Sequence, residues 1–208
     1  VVELDLTWNG GASNGTVTIE LYPGDAPIHV ENFKLLVGNG DYDGTIFHRV
    51  IDGFMIQGGD FETNDGTGGY AASWQGYCNG QAEPSSSACG QTQYTLPDEV
   101  SNGRLHDVCT LSMAKTNNPH TGGSQFFMNV ADNRNLDWFS PGESKHPVFG
   151  CLDKASLGLA VKISQVPTRD DNPRNPVKMV KVKVVFPGAG EKRKSEGDDA
   201  SPAKKRAL

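Results

Sequence analysis

Apolar and polar residues alternate with a period of two along much of this chain. Val2, Leu4, Leu6 and Trp8 alternate with Glu3, Asp5 and Thr7, and Val17, Ile19 and Leu21 alternate with Thr16, Thr18, Glu20 and Tyr22. Successive side chains of an extended backbone point to opposite faces, so both stretches predict half-buried strands. The Asn- and Gly-rich residues 9–15 between them tolerate the positive φ of a hairpin connection. Further strand-like runs cover 46–51, 54–58, 109–114, 125–130, 147–152 and 177–186. Two stretches change period: Val30, Phe33 and Val37 behind Asp25 and Pro27, and Leu157, Ala160, Val161 and Ser164 ahead of Pro167, recur at helical spacing. About eight short strands with only two helices predict a mainly β fold, a barrel rather than alternating βαβ units, with the helices over its open ends.

Residues 64–102 lack apolar periodicity and are rich in Gly, Ser, Gln and Asn, longer than a connection in a compact domain usually runs. From Pro187 onward the chain holds no apolar residue beyond alanine until Leu208 and reads as a disordered charged tail. The organisation expected is one domain over 1–186 with a tail over 187–208. A chain of 208 residues suits a single core. No apolar run is long enough to cross a bilayer, so the chain reads as soluble. A net charge of −6 argues against nucleic acid as a partner. Cys78 and Cys89 lie in the polar stretch and would brace it as a disulfide if the protein is exported, while Cys109 and Cys151 lie in strand patterns and read as buried thiols. With no C-x-x-C pair and scattered histidines, no metal or other cofactor is expected.

The candidate chemistry lies in the central strands. Alternation puts Arg49 on one face with Phe47 and Ile51, and gives the pairs Met55/Gln57 and Gln125/Phe127 a face each. Large apolar groups beside neutral amides suit a pocket for a small molecule or peptide. Periodicity alone supports no more than a β-rich domain with a peptide groove, since an arginine among apolar residues commonly just extends its head to solvent.

The continuous string Phe47-His48-Arg49-Val50-Ile51-Asp52-Gly53-Phe54-Met55-Ile56-Gln57-Gly58-Gly59-Asp60-Phe61 narrows this reading. It is followed by Gly66-Thr67-Gly68-Gly69, Leu111-Ser112-Met113-Ala114, Gly123-Ser124-Gln125-Phe126-Phe127 and Val148-Phe149-Gly150. In this order the motifs closely resemble the cyclophilin family over roughly residues 2–185. The resemblance implies a closed eight-stranded antiparallel barrel capped by two α-helices, with the active groove on its outer face. It implies peptidyl-prolyl cis/trans isomerisation in aid of protein folding, with Arg49 catalytic. Phe54, Met55, Phe127, Leu136 and His146 would form the proline pocket. Gln57 and Gln125 would fix the substrate backbone, and the main chain at Ala114 and Lys115 would pair with the residues before the proline. His48 falls on the other strand face and is read as structural. The implied partners are proline-containing peptides and unfolded or flexible protein segments, bound by a monomer.

Three features depart from the family pattern. Asn135 stands where many animal members carry tryptophan, which puts cyclosporin affinity in doubt. Residues 138–144 lengthen the segment between Leu136 and His146, and residues 71–93 read as an insertion carrying Trp74, Tyr77, Cys78 and Cys89, expected to pack mainly on itself. In the tail, Lys192-Arg193 and Lys204-Lys205-Arg206 fit a bipartite nuclear-import pattern, and Ser201-Pro202 fits a phosphorylation site. Compartment is thus open between nucleus or cytoplasm and export. The rival function is a non-catalytic module that holds proline-containing segments.

Overall fold

The computed structural model describes residues 1–141 and 145–186. The tail at 187–208, with its import and phosphorylation motifs, lies outside them. In chain order the elements are β1 (Val2–Trp8), β2 (Ser13–Leu21), α1 (Pro27–Asn39), β3 (Arg49–Ile51) and β4 (Met55–Gly58). Three short strands follow in the long polar stretch, β5 (Tyr77–Cys78), β6 (Gln81–Ala82) and β7 (Tyr94–Thr95). Then come β8 (Thr110–Met113), β9 (Phe126–Asn129), β10 (Val148–Leu152), α2 (Lys154–Ser164), β11 (Thr168–Arg169), β12 (Asn172–Pro173) and β13 (Lys178–Val184).

Every long strand expected from alternation joins one eight-stranded sheet, ordered β13-β1-β2-β10-β8-β9-β4-β3 with antiparallel neighbours. The β1–β2 hairpin turns at Asn9, Gly10 and Gly11, whose φ values of 53°, 66° and 91° need residues tolerant of left-handed backbone. The sheet curls around an aromatic core. Phe33 meets Phe126 and Phe149 edge-on at 5.3 and 5.5 Å, and Tyr42 meets Phe126 at 5.5 Å. Helix α1 contacts both β13 and β10, and α2 contacts β2, β10, β4 and β3. A helix touching strands that are not neighbours lies across the mouth of a curled sheet, as the sequence reading placed it.

The closed barrel is corrected. No ladder joins the end strands β13 and β3; the seam is a single antiparallel bridge, Ile46 to Lys178, with backbone hydrogen bonds from Phe47 N–H to the Val177 carbonyl and from Met179 N–H to the Thr45 carbonyl. The strand expected at 46–51 is shorter because Ile46 gives its N–H to the Asn64 side chain at 2.9 Å and Gly44 turns at φ 82°. The reading of Cys109 and Cys151 as thiols is corrected too. Register sets Thr110 opposite Cys151, which brings Cys109 within a Cα separation of 5.2 Å, and the two are joined as a disulfide. Cys78 and Cys89 form a second one.

The start of α1 depends on a residue far away in the chain. Asp25, the expected flanking acid, instead accepts from Arg104. The N-terminal turn is capped by Glu99, whose carboxylate accepts from Ile28 N–H at 3.2 Å and His29 N–H at 2.9 Å. This ties the long polar stretch to the core. Asn32, buried on α1, adds a second tie by accepting from Ala72 N–H and donating to the Gly123 carbonyl.

At Gly58 the backbone comes close to its neighbours across the seam. A Cβ there would stand 2.9 Å from the Ile46 carbonyl oxygen and 3.1 Å from both Met179 and Phe47, at the seam itself. Gly58→Ala is therefore expected to destabilise the fold by about 1–3 kcal/mol, as overpacking does. Urea unfolding tests this, and a wild-type midpoint would contradict the close approach.

Candidate active site

Strand register assembles the site. Arg49 of β3 sits opposite Gln57 of β4, Gln57 opposite Phe127 of β9, and Phe127 opposite Ser112 of β8. Because alternate residues share a face, this row lies on the outer side of the sheet while Val50, Ile56, Phe126 and Met128 face the core. One turn along, Met55 is brought beside the row. Arg49, Gln57, Phe127 and Met55, together with Phe54, Leu136 and His146, line a cavity of about 310 Å³ that Ala114 and Lys115 border. Every expected site residue except Gln125 lines this cavity. Asn117 also lines it; it belongs to a polar connection, and nothing in the sequence marked it.

Gln125 lies in an adjoining cavity of about 550 Å³ that shares Gln57, Ala114 and Lys115 with the first. The far wall of this second cavity comes from the long polar stretch, through Asn79, Thr92 and Tyr94. Within residues 71–93 the Cys78–Cys89 disulfide ties the stretch to itself, and Trp74 meets Tyr94, just beyond it, edge-on at 5.5 Å. It also reaches outward, since the Tyr77 ring lies 4.5 Å from that of His120.

The two glutamines are oriented by their surroundings. Gln125 Nε2 donates to the carbonyls of Gly66 and Gly68 at 2.9 and 2.7 Å, so its oxygen is left to accept from Gln57 Nε2 at 3.0 Å. The loop that supplies those carbonyls is organised by buried Asp60, which accepts from the backbone N–H groups of Glu62, Thr63, Asp65, Gly66 and Gly68. Burial alone would raise the Asp60 pKa, but the Thr63 hydroxyl and these N–H groups hold it far below the usual carboxylate range. Asp60 stood in the sequence string without a role. Alternation put His48 on the face away from Arg49 and Phe47 beside Arg49; instead Phe47 is packed in the core, and His48 is buried against Gly66 and beside Gln125.

A second support lies beneath Phe127. The ring of His106 is parallel to that of Phe127 at 6.1 Å, and His146 meets Phe127 edge-on at 5.2 Å. His106 Nδ1 is 2.9 Å from Asp137 Oδ1, which also accepts the His106 backbone N–H, and both side chains are fully buried. Sequence reasoning missed this pair, since its members are far apart in the chain. His146 donates from Nδ1 to the Met113 carbonyl at 2.9 Å.

Arg49 is half-exposed at the rim, with Nε 3.5 Å from the Asp171 carboxylate. The Lys115 side chain is buried, its ammonium donating to the carbonyls of Thr116 and Asn118 and lying 3.6 Å from Asp98. Since the residue as a whole is partly exposed, its main chain is what reaches the groove. Asn135 is exposed beside Leu136, and the exposed rings of Trp138 and Phe139 follow it.

Residues 4–184 match the family model described as cyclophilin type peptidyl-prolyl cis-trans isomerase/CLD. A peptidyl-prolyl cis-trans isomerase of Acinetobacter baylyi is 39 % identical, with 82 % of this chain and 80 % of that protein covered. A peptidyl-prolyl cis-trans isomerase-like 1 of Neurospora crassa is also 39 % identical, covering 82 % and 89 %. Among solved structures, a Cryptosporidium parvum cyclophilin-type isomerase crystallised in the presence of the dipeptide Ala-Pro is similar at TM-score 0.67 and 25 % identity, covering 89 % of this chain and 98 % of that one.

Burial in the pocket wall lowers the His146 pKa from 6.5 to about 4, outweighing the bond to Met113. On lowering the pH, the unfolded chain takes up a proton near 6.5 that the folded chain refuses until about 4, so stability is lost as the pH falls through that window. An NMR titration of the His146 ring should show its midpoint near 4, and His146→Asn should flatten the slope of stability against pH there. A ring midpoint above 6 would contradict the buried wall.

Proposed function

The chain belongs to the cyclophilin-type peptidyl-prolyl cis-trans isomerase family and is an isomerase of X-Pro peptide bonds; we propose that the groove around Arg49 is where it turns them. The observation that carries this reading is the row Arg49, Gln57 and Phe127, which sets a cation beside an amide and a buried ring on one face of three adjacent strands. In this reading the proline ring sits against Phe127, Met55, Phe54, Leu136 and His146. A neutral His146 keeps that wall apolar. The residues before the proline run over the second cavity. Ala114 gives its own N–H to the Gln125 carbonyl, so its carbonyl is what remains for a substrate strand.

The reaction needs a rotation and no bond cleavage. Amide resonance sets a barrier of ~18–20 kcal/mol, and in the twisted state the prolyl nitrogen becomes pyramidal and basic. A guanidinium donating toward that nitrogen gains its full interaction only there, and so lowers the barrier rather than merely binding the ground state. Arginine suits the task because it stays protonated and its planar fork can also hold a neighbouring carbonyl. Gln57 and Gln125, already oriented by the loop from Asp60, add donors and acceptors that need no reorganisation on binding.

The substrates in this reading are proline-containing peptides and flexible protein segments, handled by one domain over 1–186 with 71–93 as an insertion. Two disulfides favour an oxidising compartment over a reducing one. Among the described residues no helix is long and apolar enough to cross a membrane. Asn135 at the rim supports weak cyclosporin affinity.

Arg49→Ala is expected to lower kcat/KM for a short proline peptide by about 10²–10³ with the thermal midpoint little changed, the scale seen when one preorganised donor is removed. Equal cis-to-trans rates for variant and wild type would instead favour the peptide-holding module.

A further inference from the structure

The β11–β12 hairpin lines neither cavity of the groove, yet it brings a carboxylate to Arg49. Strand β3 is the edge of the eight-stranded sheet, and β12 lies against it. Val50 donates its N–H to the Asp171 carbonyl at 2.7 Å, which fixes Asp171 next to Arg49 in space. From there its Oδ2 stands 3.5 Å from Arg49 Nε.

The backbone at this point is unusual. Arg169 pairs with Asn172, so Asp170 and Asp171 are the two central residues of a tight hairpin, with φ of 51° and 64°. Such a turn demands positive φ at both positions, and glycine is the residue that adopts it at least cost, most of all at the second. The chain carries aspartate there instead. A side chain retained against the backbone's preference, beside a functional residue, calls for a functional reason, and the contact made by that side chain is the one with Arg49.

We propose that Asp171 is a positioning residue for Arg49, holding Nε so that the guanidinium plane is fixed and its two Nη groups are left for the substrate. This rests on the reading of Arg49 as catalytic. The side chains of Arg49 and Asp171 are 46 % and 50 % exposed, so water screens most of their attraction. The same screening limits how far the carboxylate weakens the arginine's field at the prolyl nitrogen. What survives is restriction of a long, flexible side chain to one orientation before substrate arrives.

The test compares wild type with Asp171→Gly, Asp171→Asn, Arg49→Ala and the double variant Arg49→Ala/Asp171→Asn, measuring kcat, KM and thermal midpoint at low and high salt. Asp171→Gly should keep or raise the midpoint, because it relieves the turn, while lowering kcat/KM by about two- to fivefold, mainly in kcat. A purely structural residue would not separate these readouts. Asp171→Asn should lose a similar amount, and the gap to wild type should narrow at about 1 M salt, where the screening length falls to roughly 3 Å. With Arg49 already replaced, the second substitution should have no further effect. Unchanged or higher kcat/KM in both single Asp171 variants, or a loss that follows the midpoint, overturns the proposal. If Arg49→Ala retains wild-type activity, the reading of Arg49 falls and this one with it; if Arg49→Ala is impaired while the Asp171 variants are not, only this one falls.

Discussion

Two consecutive phenylalanines on β9 meet opposite demands, and the rest of the molecule is arranged around that opposition. Phe126 points inward and is packed edge-on by Phe33, Tyr42 and Phe47. Phe127 points outward and is buried all the same, beneath a cavity open to solvent. A strand displaced by one residue would exchange the two rings, exposing the core's central aromatic and leaving the groove without a floor. The register of β4, β9 and β8 therefore decides both stability and function.

The outward ring is kept in place by groups that spend their hydrogen bonds on one another. On one side His106 and Asp137 support it from beneath; on the other, Asp60 organises a loop whose carbonyls orient Gln125, which in turn orients Gln57. Each link commits a polar group before any peptide binds. An enzyme with no covalent step depends on this kind of preorganisation, since a fixed dipole costs nothing to reorient when charge develops. The cyclophilin groove here is thus a surface with a rigid polar underlayer.

Much of this was legible in the sequence because it is written in short-range pattern. Alternation located all eight strands of the main sheet, helical spacing located both helices, and the family resemblance named the residues of the first cavity except Asn117. What escaped depends on contacts between distant positions. Glu99 capping α1, Asp137 beneath His106 and Asp171 beside Arg49 are acids whose local surroundings look like ordinary polar loop, and only the folded chain gives each a partner. The seam was misjudged for a related reason: the run at 46–51 alternates well enough to continue, and only the folded chain shows that it meets β13 through a single bridge. Cys109 and Cys151 looked like core thiols because strand pattern reports burial and says nothing about which strands are neighbours.

The two ends of the sheet and its middle are held by very different means. At the middle, β8 and β10 are joined covalently through Cys109 and Cys151; at the ends, one bridge and a few backbone hydrogen bonds span the seam. The sheet parts most easily where the fewest bonds cross it, so opening across the seam at 44–47 and 177–179 should precede separation of β8 from β10. Arg49 lies just beyond that seam and the rest of the groove sits toward the middle. The groove thus lies between a lightly joined seam and a covalently tied middle.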